Sequence, residues 1–286
     1  MQIKGLVIKA IASFFYVEVD DVIYECRAST KLKRNKKQII TGEYVMFDVE
    51  EKYITAVLPR DNELIRPKIA NVSNAVLVFS AIEPKMNFGL LDRMLLVMEI
   101  NNLDSTIVIT KMDLLALDEQ EQIKKSLVYY EKIGYKVLYT LTNEDINCIA
   151  DLIKKDKYVF TGQTGVGKST LINKLLPELN IKTQPISKAL GRGKHTTREV
   201  TFYHHNNSYI IDTPGFSALD LPLTTEVVRD NYIDFYELSD ECRFKGCYHL
   251  KEPSCNVKNE IGKNESFDRR YENYVKIMEE IYKEIR

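Results

Sequence analysis

The sequence predicts a multidomain protein: an all-β N-terminal barrel, a central α/β region and a small, mostly helical C-terminal region that binds metal. Three observations predict this division. Short β-rich segments fill residues 1–66, strands alternate with helices over 67–220, and three of the five cysteines crowd into 221–286. A chain of 286 residues is long enough for two or three domains.

The N-terminal region consists of short predicted strands. The segments Leu6–Val19, Val22–Ala28 and Glu43–Val57 are rich in β-branched and aromatic residues, and Asp20-Asp21 marks a turn. Five strands of this size suit an OB-fold barrel. The basic segment Lys31–Lys37 is either a solvated loop or a contact to a nucleic-acid backbone, and the sequence does not choose between them.

The central region has the alternation typical of a parallel α/β sheet. The predicted strands are Asn74–Ser80, Ser105–Thr110, Tyr135–Leu141, Tyr158–Thr161 and Tyr209–Ile211. The predicted helices are Leu90–Ile100, Glu119–Gly134, Ile146–Lys155 and Thr170–Leu176. The apolar spacing near the C-terminus predicts one more helix, expected to pack within its own domain, through Tyr271, Tyr274, Ile277, Met278, Ile281 and Ile285.

A phosphate-binding loop is predicted between one of these strands and the helix after it. The segment Gly162–Ser169 matches G-x-x-x-x-G-K-S, whose glycines let backbone N–H groups face a polyphosphate. Lys168 would reach the β- and γ-phosphates, and the Ser169 hydroxyl would bind Mg²⁺. The predicted nucleotide contacts here are Gly162, Gln163, Thr164, Gly165, Val166, Gly167, Lys168, Ser169 and Thr170.

Two further segments complete the expected phosphate site. Asp212-Thr213-Pro214-Gly215 follows a strand, so Asp212 would hold Mg²⁺ through water and the Gly215 N–H would touch the γ-phosphate. Without that context the D-x-x-G pattern is more often an ordinary turn. A threonine between the two motifs should close over Mg²⁺; of Thr196 and Thr197, we favour Thr197.

A base-reading motif is predicted earlier in the chain, at Thr110, Lys111, Met112 and Asp113. Guanine offers two N–H donors on one edge, and the Asp113 carboxylate can accept both. Alone, this tetrapeptide would fit a capped helix start equally well. Together with the phosphate loop it predicts a P-loop GTPase whose base motif precedes the phosphate loop by about 50 residues, which is a permuted order.

A zinc site is predicted from Cys242-x4-Cys247-x-His249-x5-Cys255. Three thiolates and one imidazole form a closed tetrahedral set, which is typical of structural rather than catalytic zinc. The alternative is a small core with buried thiols. Gly246, Pro253 and the scarcity of apolar residues between the ligands disfavour that alternative.

The motif order closely resembles the RsgA (YjeQ) family, circularly permuted GTPases that assist maturation of the bacterial small ribosomal subunit. The resemblance covers nearly the whole chain and rests on Ile65-Arg66-Pro67, Ala70-Asn71-Val72, Asp92-Arg93, Gly162–Ser169, His195-Thr196-Thr197 and Asp212–Gly215. It implies an OB-fold RNA-binding domain at 1–66, a permuted GTPase at 67–220 and a zinc-binding domain at 221–286. It also implies GTP hydrolysis stimulated by the small subunit, with its 16S rRNA as a partner.

Two positions depart from the usual pattern. Thr110 stands where the family's base motif usually begins with Asn. Phe216 stands where many GTPases place a glutamine that orients the attacking water, so another group must act there. The resemblance makes His195 the candidate, and a surface-loop histidine is the equally weighted alternative.

Bulk composition sets limits on the remaining function classes. The net charge of −1 gives no general attraction to nucleic acid, so any such contact needs a local patch. No apolar run is long enough for a membrane span, and an odd, clustered cysteine count favours a reducing compartment. We therefore expect a cytoplasmic protein. We also expect it to be a monomer. The main alternative to a GTP hydrolase is an RNA-binding assembly module that uses the nucleotide as a switch with little turnover. A third hypothesis, a P-loop kinase or ATPase, is disfavoured by Asp113.

Overall fold

The computed structural model describes residues 1–34, 38–65, 67–154, 156–179, 200–205, 207–213 and 223–284. It divides into two compact units. The first comprises 1–74, 153–161 and 194–215, and the second comprises 75–152, 162–193 and 216–286. None of the helices in these described ranges is long and apolar enough to cross a membrane.

Strands and helices follow the predicted order closely. The strands are β1 Gln2–Ile11, β2 Phe14–Val19, β3 Val22–Ala28, β4 Tyr44–Asp48, β5 Tyr53–Val57, β6 Glu63–Leu64, β7 Ile69–Ala70, β8 Asn74–Ser80, β9 Asp104–Thr110, β10 Lys136–Tyr139, β11 Lys157–Gly162, β12 Thr201–His205 and β13 Ser208–Asp212. The helices are α1 Thr30–Arg34, α2 Phe88–Ile100, α3 Leu117–Lys132, α4 Asn143–Leu152, α5 Lys168–Leu175, α6 Thr225–Asn231, α7 Ile233–Ser239, α8 Asn256–Asn259 and α9 Glu265–Glu284.

The predicted N-terminal barrel is confirmed. Its five strands close in the order β1-β2-β3-β5-β4, and alternate residues such as Val17, Val45 and Phe47 fill the interior. The β2–β3 hairpin turns at Asp20 and Asp21, which both have positive φ, as a tight two-residue hairpin turn requires.

The basic segment after β3 differs from the expected loop. Residues Thr30–Arg34 form a short helix, α1, whose start is marked by the Leu32 N–H donating to Ser29 Oγ at 3.5 Å. The rest of the basic run, residues 35–37, lies outside the described residues.

The first unit continues from the barrel into a second sheet. Strands β11, β13 and β12 lie side by side in that order, β11 parallel and β12 antiparallel to β13. Lys157 joins this sheet to the barrel within the unit, because its Nζ donates to Asn71 O at 3.1 Å and lies 4.3 Å from the Tyr44 ring centroid. Strand β12 was not predicted, since its sequence, TFYHH, carries two histidines and no buried side chain.

The second unit contains the three strands β10-β9-β8, with β10 and β9 parallel. Helix α3 ends at Lys132, and Gly134 has φ +103°, in agreement with the predicted stop. Two short helices, α6 and α7, follow residue 223 and were not predicted, because neither is long enough to show a clear apolar period.

Helix α9 packs more widely than expected. Its Tyr274, Ile277, Met278 and Ile281 are buried, as the spacing predicted, but their core also contains Leu96 of α2. Helix α9 contacts α2, α3 and α6, so its partners extend beyond residues 221–286. Ile285 lies outside the described part of the chain.

Candidate nucleotide site and metal centre

Glycine determines the shape of the segment after β11. Gly165 and Gly167 have φ +88° and +90°, a region that other residues rarely adopt. A Cβ atom at Gly162 would lie 2.1 Å from Val78 O, so the backbone at Gly162 can approach Val78 this closely only because it carries no side chain. The motif therefore forms the tight turn that a phosphate-binding loop requires.

Helix α5 begins directly at Lys168, with the Leu171 N–H donating to Gly167 O at 2.9 Å. Free N–H groups and the helix dipole make such a helix start attractive to anions. Lys168 is buried, Ser169 is half-buried and Thr170 is exposed. The structure thus presents a cation, a hydroxyl and backbone donors on one short segment.

The predicted base motif lies at the end of β9. Lys111 is the first residue beyond the strand and has φ +58°, and Met112–Leu114 form a short 3₁₀ turn. Met112 is buried, whereas Asp113 is exposed and free to meet a ligand. Within this turn, then, Met112 lies in the protein interior and Asp113 is accessible to a ligand.

Hydrogen bonds join this motif to the phosphate-binding loop. Lys111 Nζ donates to Gly165 O at 2.8 Å and to Glu83 O at 2.5 Å, and burial lowers the pKa of its ammonium group. Thr110 Oγ1 lies within hydrogen-bonding distance of Val166 O and, at 3.1 Å, of Phe79 O. Two segments more than 50 residues apart in the chain are thus brought together within the second unit.

The remaining predicted phosphate-site residues are only partly described. Asp212 ends β13 in the first unit and is 1% exposed. The next residue, Thr213, is fixed by its hydroxyl, which donates to Phe160 O at 2.8 Å. Several predicted positions lie outside the described residues, namely His195, Thr196, Thr197, Gly215 and Phe216.

The predicted zinc ligands converge at one point in the second unit. The ligand atoms of Cys242, Cys247, His249 and Cys255 all lie within 4.8 Å of one another. His249 Nδ1 lies 3.4 Å from Cys255 Sγ and 3.7 Å from Cys242 Sγ, and those two sulfurs are 3.9 Å apart.

These separations fit a tetrahedral zinc ion. With zinc–sulfur bonds of about 2.3 Å and zinc–nitrogen bonds of about 2.0 Å, tetrahedral geometry places ligand atoms about 3.5–3.8 Å apart. Burial lowers the pKa of His249 and raises that of Cys247 to about 12. A neutral imidazole is ready to bind metal, and a cation would offset the cost of burying thiolates.

Surrounding groups hold the cluster in shape. Backbone N–H groups approach the sulfurs, Asn256 N reaching Cys242 Sγ at 3.3 Å and His249 N reaching Cys247 Sγ at 3.4 Å. Tyr271 on α9 donates its hydroxyl to His249 O at 2.7 Å. Such outer contacts orient metal ligands.

Comparisons with known proteins give consistent matches over almost the whole chain. A sequence model of the RsgA GTPase matches residues 57–222, and one of the RsgA N-terminal domain matches 4–56. The chain is 43% identical over 290 residues to the small ribosomal subunit biogenesis GTPase RsgA of Bacillus subtilis, covering 97% of each chain. The protein of the same name from Latilactobacillus sakei is 39% identical, covering 99% of this chain and 97% of that one.

Two solved structures also match the chain over 99% of its length. The crystal structure of YloQ, described as a circularly permuted GTPase, matches with a TM-score of 0.81 and 35% identity, covering 99% of this chain and 96% of that one. YjeQ from Thermotoga maritima matches with a TM-score of 0.82 and 28% identity, covering 99% of both chains.

Proposed function

Because this chain belongs to the RsgA GTPase family, we propose that it hydrolyses GTP to GDP and phosphate during assembly of the small (30S) ribosomal subunit and is stimulated by that subunit. The role in ribosome assembly is proposed because the relatives are named small ribosomal subunit biogenesis GTPases. The hydrogen bonds from Thr110 and Lys111 to the phosphate-binding loop are the structural observation that supports a single nucleotide site in the permuted chain.

Each site residue has a proposed role at this site. Lys168 and the N–H groups of the loop bind the phosphates, and Asp113 accepts the two donors of guanine. Ser169, Thr197 and Asp212 hold Mg²⁺, with Gly215 on the γ-phosphate. Mg²⁺ held by these residues would supply positive charge that offsets the negative charge of the phosphate oxygens.

We propose that His195 positions the attacking water molecule. Phe216 has no hydrogen-bonding group, whereas an imidazole can accept from a water molecule. His195 and Thr197, two residues of the proposed site, lie outside the described residues.

The other regions have proposed roles as well. Cys242, Cys247, His249 and Cys255 hold one structural zinc ion, a role that their separations and burial support. The barrel, residues 1–66, contacts 16S rRNA; residues 67–220 form the permuted GTPase, and 221–286 the zinc-binding region. We place the protein in the cytoplasm, as a monomer.

Single-turnover and steady-state GTP hydrolysis, measured with and without purified small subunits, tests the proposal. We expect slow hydrolysis that rises severalfold or more with subunits, because the site lacks a glutamine for water. K168A should abolish the stimulated rate. K174A, an exposed lysine on the same helix, is the matched control and should keep it. Equal rates for the wild type with and without subunits would contradict the proposal.

Phe216 favours one alternative, an RNA-binding assembly module that uses the nucleotide as a switch with little turnover. The same assay separates the two functions. Tight, nucleotide-dependent binding to small subunits without phosphate release would support the switch and exclude the enzyme.

A further inference from the structure

We propose that Thr110 is a positioning residue that ties the phosphate-binding loop, Gly162–Ser169, to the base motif, Thr110–Asp113. Its single hydroxyl proton is shared between the carbonyl oxygens of Phe79 and Val166, and this sharing sets how firmly the two segments are held together. The firmness of this tie in turn sets how fast guanine nucleotide leaves. The inference rests on the proposed nucleotide site and assigns Thr110 a role in which it need not touch the nucleotide.

The side chain of Thr110 points into the protein at the junction of three segments. It ends β9, it is 6% exposed, and its Oγ1 lies within hydrogen-bonding distance of Phe79 O on β8 and of Val166 O in the phosphate-binding loop. A Cβ at Gly167 would lie 3.6 Å from the same oxygen, an ordinary contact distance. Thr110 therefore packs against the phosphate-binding loop from within the protein.

The neighbouring residue makes a second contact to the same loop. Lys111 Nζ donates to Gly165 O, the residue before Val166. Adjacent residues of the base motif thus bind adjacent carbonyls of the phosphate-binding loop. Such paired contacts fix both the distance and the orientation of the two segments, which one contact would not do.

Hydrogen-bond chemistry limits the Thr110 contact. A threonine hydroxyl carries one hydrogen, so it can donate to only one of the two carbonyls at any moment, whereas an asparagine amide carries two. Phe79 and Val166 are each 1% exposed, so water does not readily replace the missing donor. Each rotation of the hydroxyl leaves one buried carbonyl without this donor, and the tie to Val166 is intermittent.

The consequence depends on the size of the ligand. A guanine nucleotide would contact Asp113 with its base and Lys168 with its phosphates. Its affinity therefore depends on how well the base motif and the phosphate-binding loop are held in place relative to each other. Guanosine and tripolyphosphate each engage one part only. A weaker tie should therefore cost GDP affinity while leaving the affinities of both fragments unchanged.

The test compares T110V, T110S and T110N with the wild-type full-length protein. Valine removes the hydroxyl at constant shape, serine keeps it, and asparagine supplies two donors. T106V, the same change earlier on β9, is the matched control. The measurements are the dissociation rate of a fluorescent GDP and the affinities for GDP, guanosine and tripolyphosphate.

We expect T110V to raise the GDP dissociation rate about tenfold, the equivalent of one net hydrogen bond. Its affinities for guanosine and tripolyphosphate should stay within about twofold of wild type, because neither fragment depends on the tie. T110S should restore slow release, and T110N should release GDP more slowly than wild type, since it can bind both carbonyls.

A fall in guanosine affinity with T110V would show that Thr110 contacts the base, which overturns the positioning role. Equal GDP release in T110V and wild type overturns it as well. If T110V does not fold, T110N decides: release as fast as wild type contradicts the proposal. Failure of the wild-type protein to bind GDP would instead refute the proposed function itself.

Discussion

Arg270 is a fully buried charged residue, and its neighbours explain how its charge is tolerated there. It is 1% exposed and donates to Asp92 at 2.6 Å and to Asp234 at 2.9 and 3.0 Å. Burial disfavours its charge, yet attraction to Asp234 and Asp92 holds the pKa of Arg270 well above its usual value. Tyr130 and Asn273 donate to Asp92 and complete the network.

Removing this guanidinium should destabilise the fold strongly. R270L leaves two buried carboxylates without their cation, and breaking a buried ion pair in this way costs about 3–5 kcal/mol. Chemical denaturation would measure the free energy of unfolding. K276L, an exposed lysine of the same helix, is the control and should change it by less than about 0.5 kcal/mol. A loss below about 1 kcal/mol in R270L would contradict the assigned role.

Single side chains were the hardest feature to predict from the sequence. The apolar period of α9 identified Tyr274, Ile277 and Met278 as core residues, because burial leaves a regular spacing. It gave no sign that Arg270 is buried too, since its carboxylate partners lie far along the chain. Likewise, the sequence marks Thr110 only as a departure from the usual Asn and does not predict that its hydroxyl contacts Val166.

At the scale of elements, the zinc-ligand cluster and α9 depend on each other. Cys247 and Cys255 belong to the same core as Tyr274 and Ile277, and the hydroxyls of Tyr271 and Tyr274 donate to the backbone of the ligand segment. The segment between these four residues has few apolar residues of its own, so we expect it to be held in place by the face of α9 together with the proposed zinc ion.

Loss of one ligand should therefore remove both metal and stability. We expect C255S to lose the roughly one equivalent of zinc that the wild type retains after dialysis against a chelator, as measured by atomic emission. Its thermal midpoint should fall by several degrees or more.

The exposed Cys148, outside the cluster, provides the control for this experiment. C148S should retain zinc and melt as the wild type does. Wild-type protein without tightly bound zinc, or C255S with a full equivalent, would refute the site.

Prediction of elements succeeded where the local pattern was strong. Strands β3 and β8 were predicted to the residue, and the helix after the phosphate loop was predicted to within two residues. Buried strands and glycine-marked turns leave local signals that are independent of the rest of the fold. Missed elements such as β12, α6 and α7 are short and only partly buried, and they depend on partners from elsewhere in the chain.

For the whole molecule, the order of the motifs was the decisive information. A base motif that precedes the phosphate-binding loop predicted a permuted GTPase, and the family membership is confirmed by the matching family models and relatives. The barrel and the α/β strands are also confirmed. The boundaries of the three predicted domains stay a prediction; the two compact units divide the chain at other points.

The proposed function requires that one bound nucleotide contacts both Asp113 and Lys168. Guanine carries an amino group at position 2 where xanthine carries a carbonyl oxygen. The Asp113 carboxylate should therefore select guanine, whereas an amide, which can donate, should select xanthine. The exposed Asp118, in the first turn of α3, offers a matched control.

The most direct measurement is the affinity for GTP and for XTP in the wild type, D113N, D118N and K168A. We predict that D113N binds GTP at least about a hundredfold more weakly and XTP more tightly, while D118N behaves as wild type. K168A should weaken both nucleotides, since the phosphates are common to them. A D113N protein that still prefers GTP as the wild type does would contradict the account.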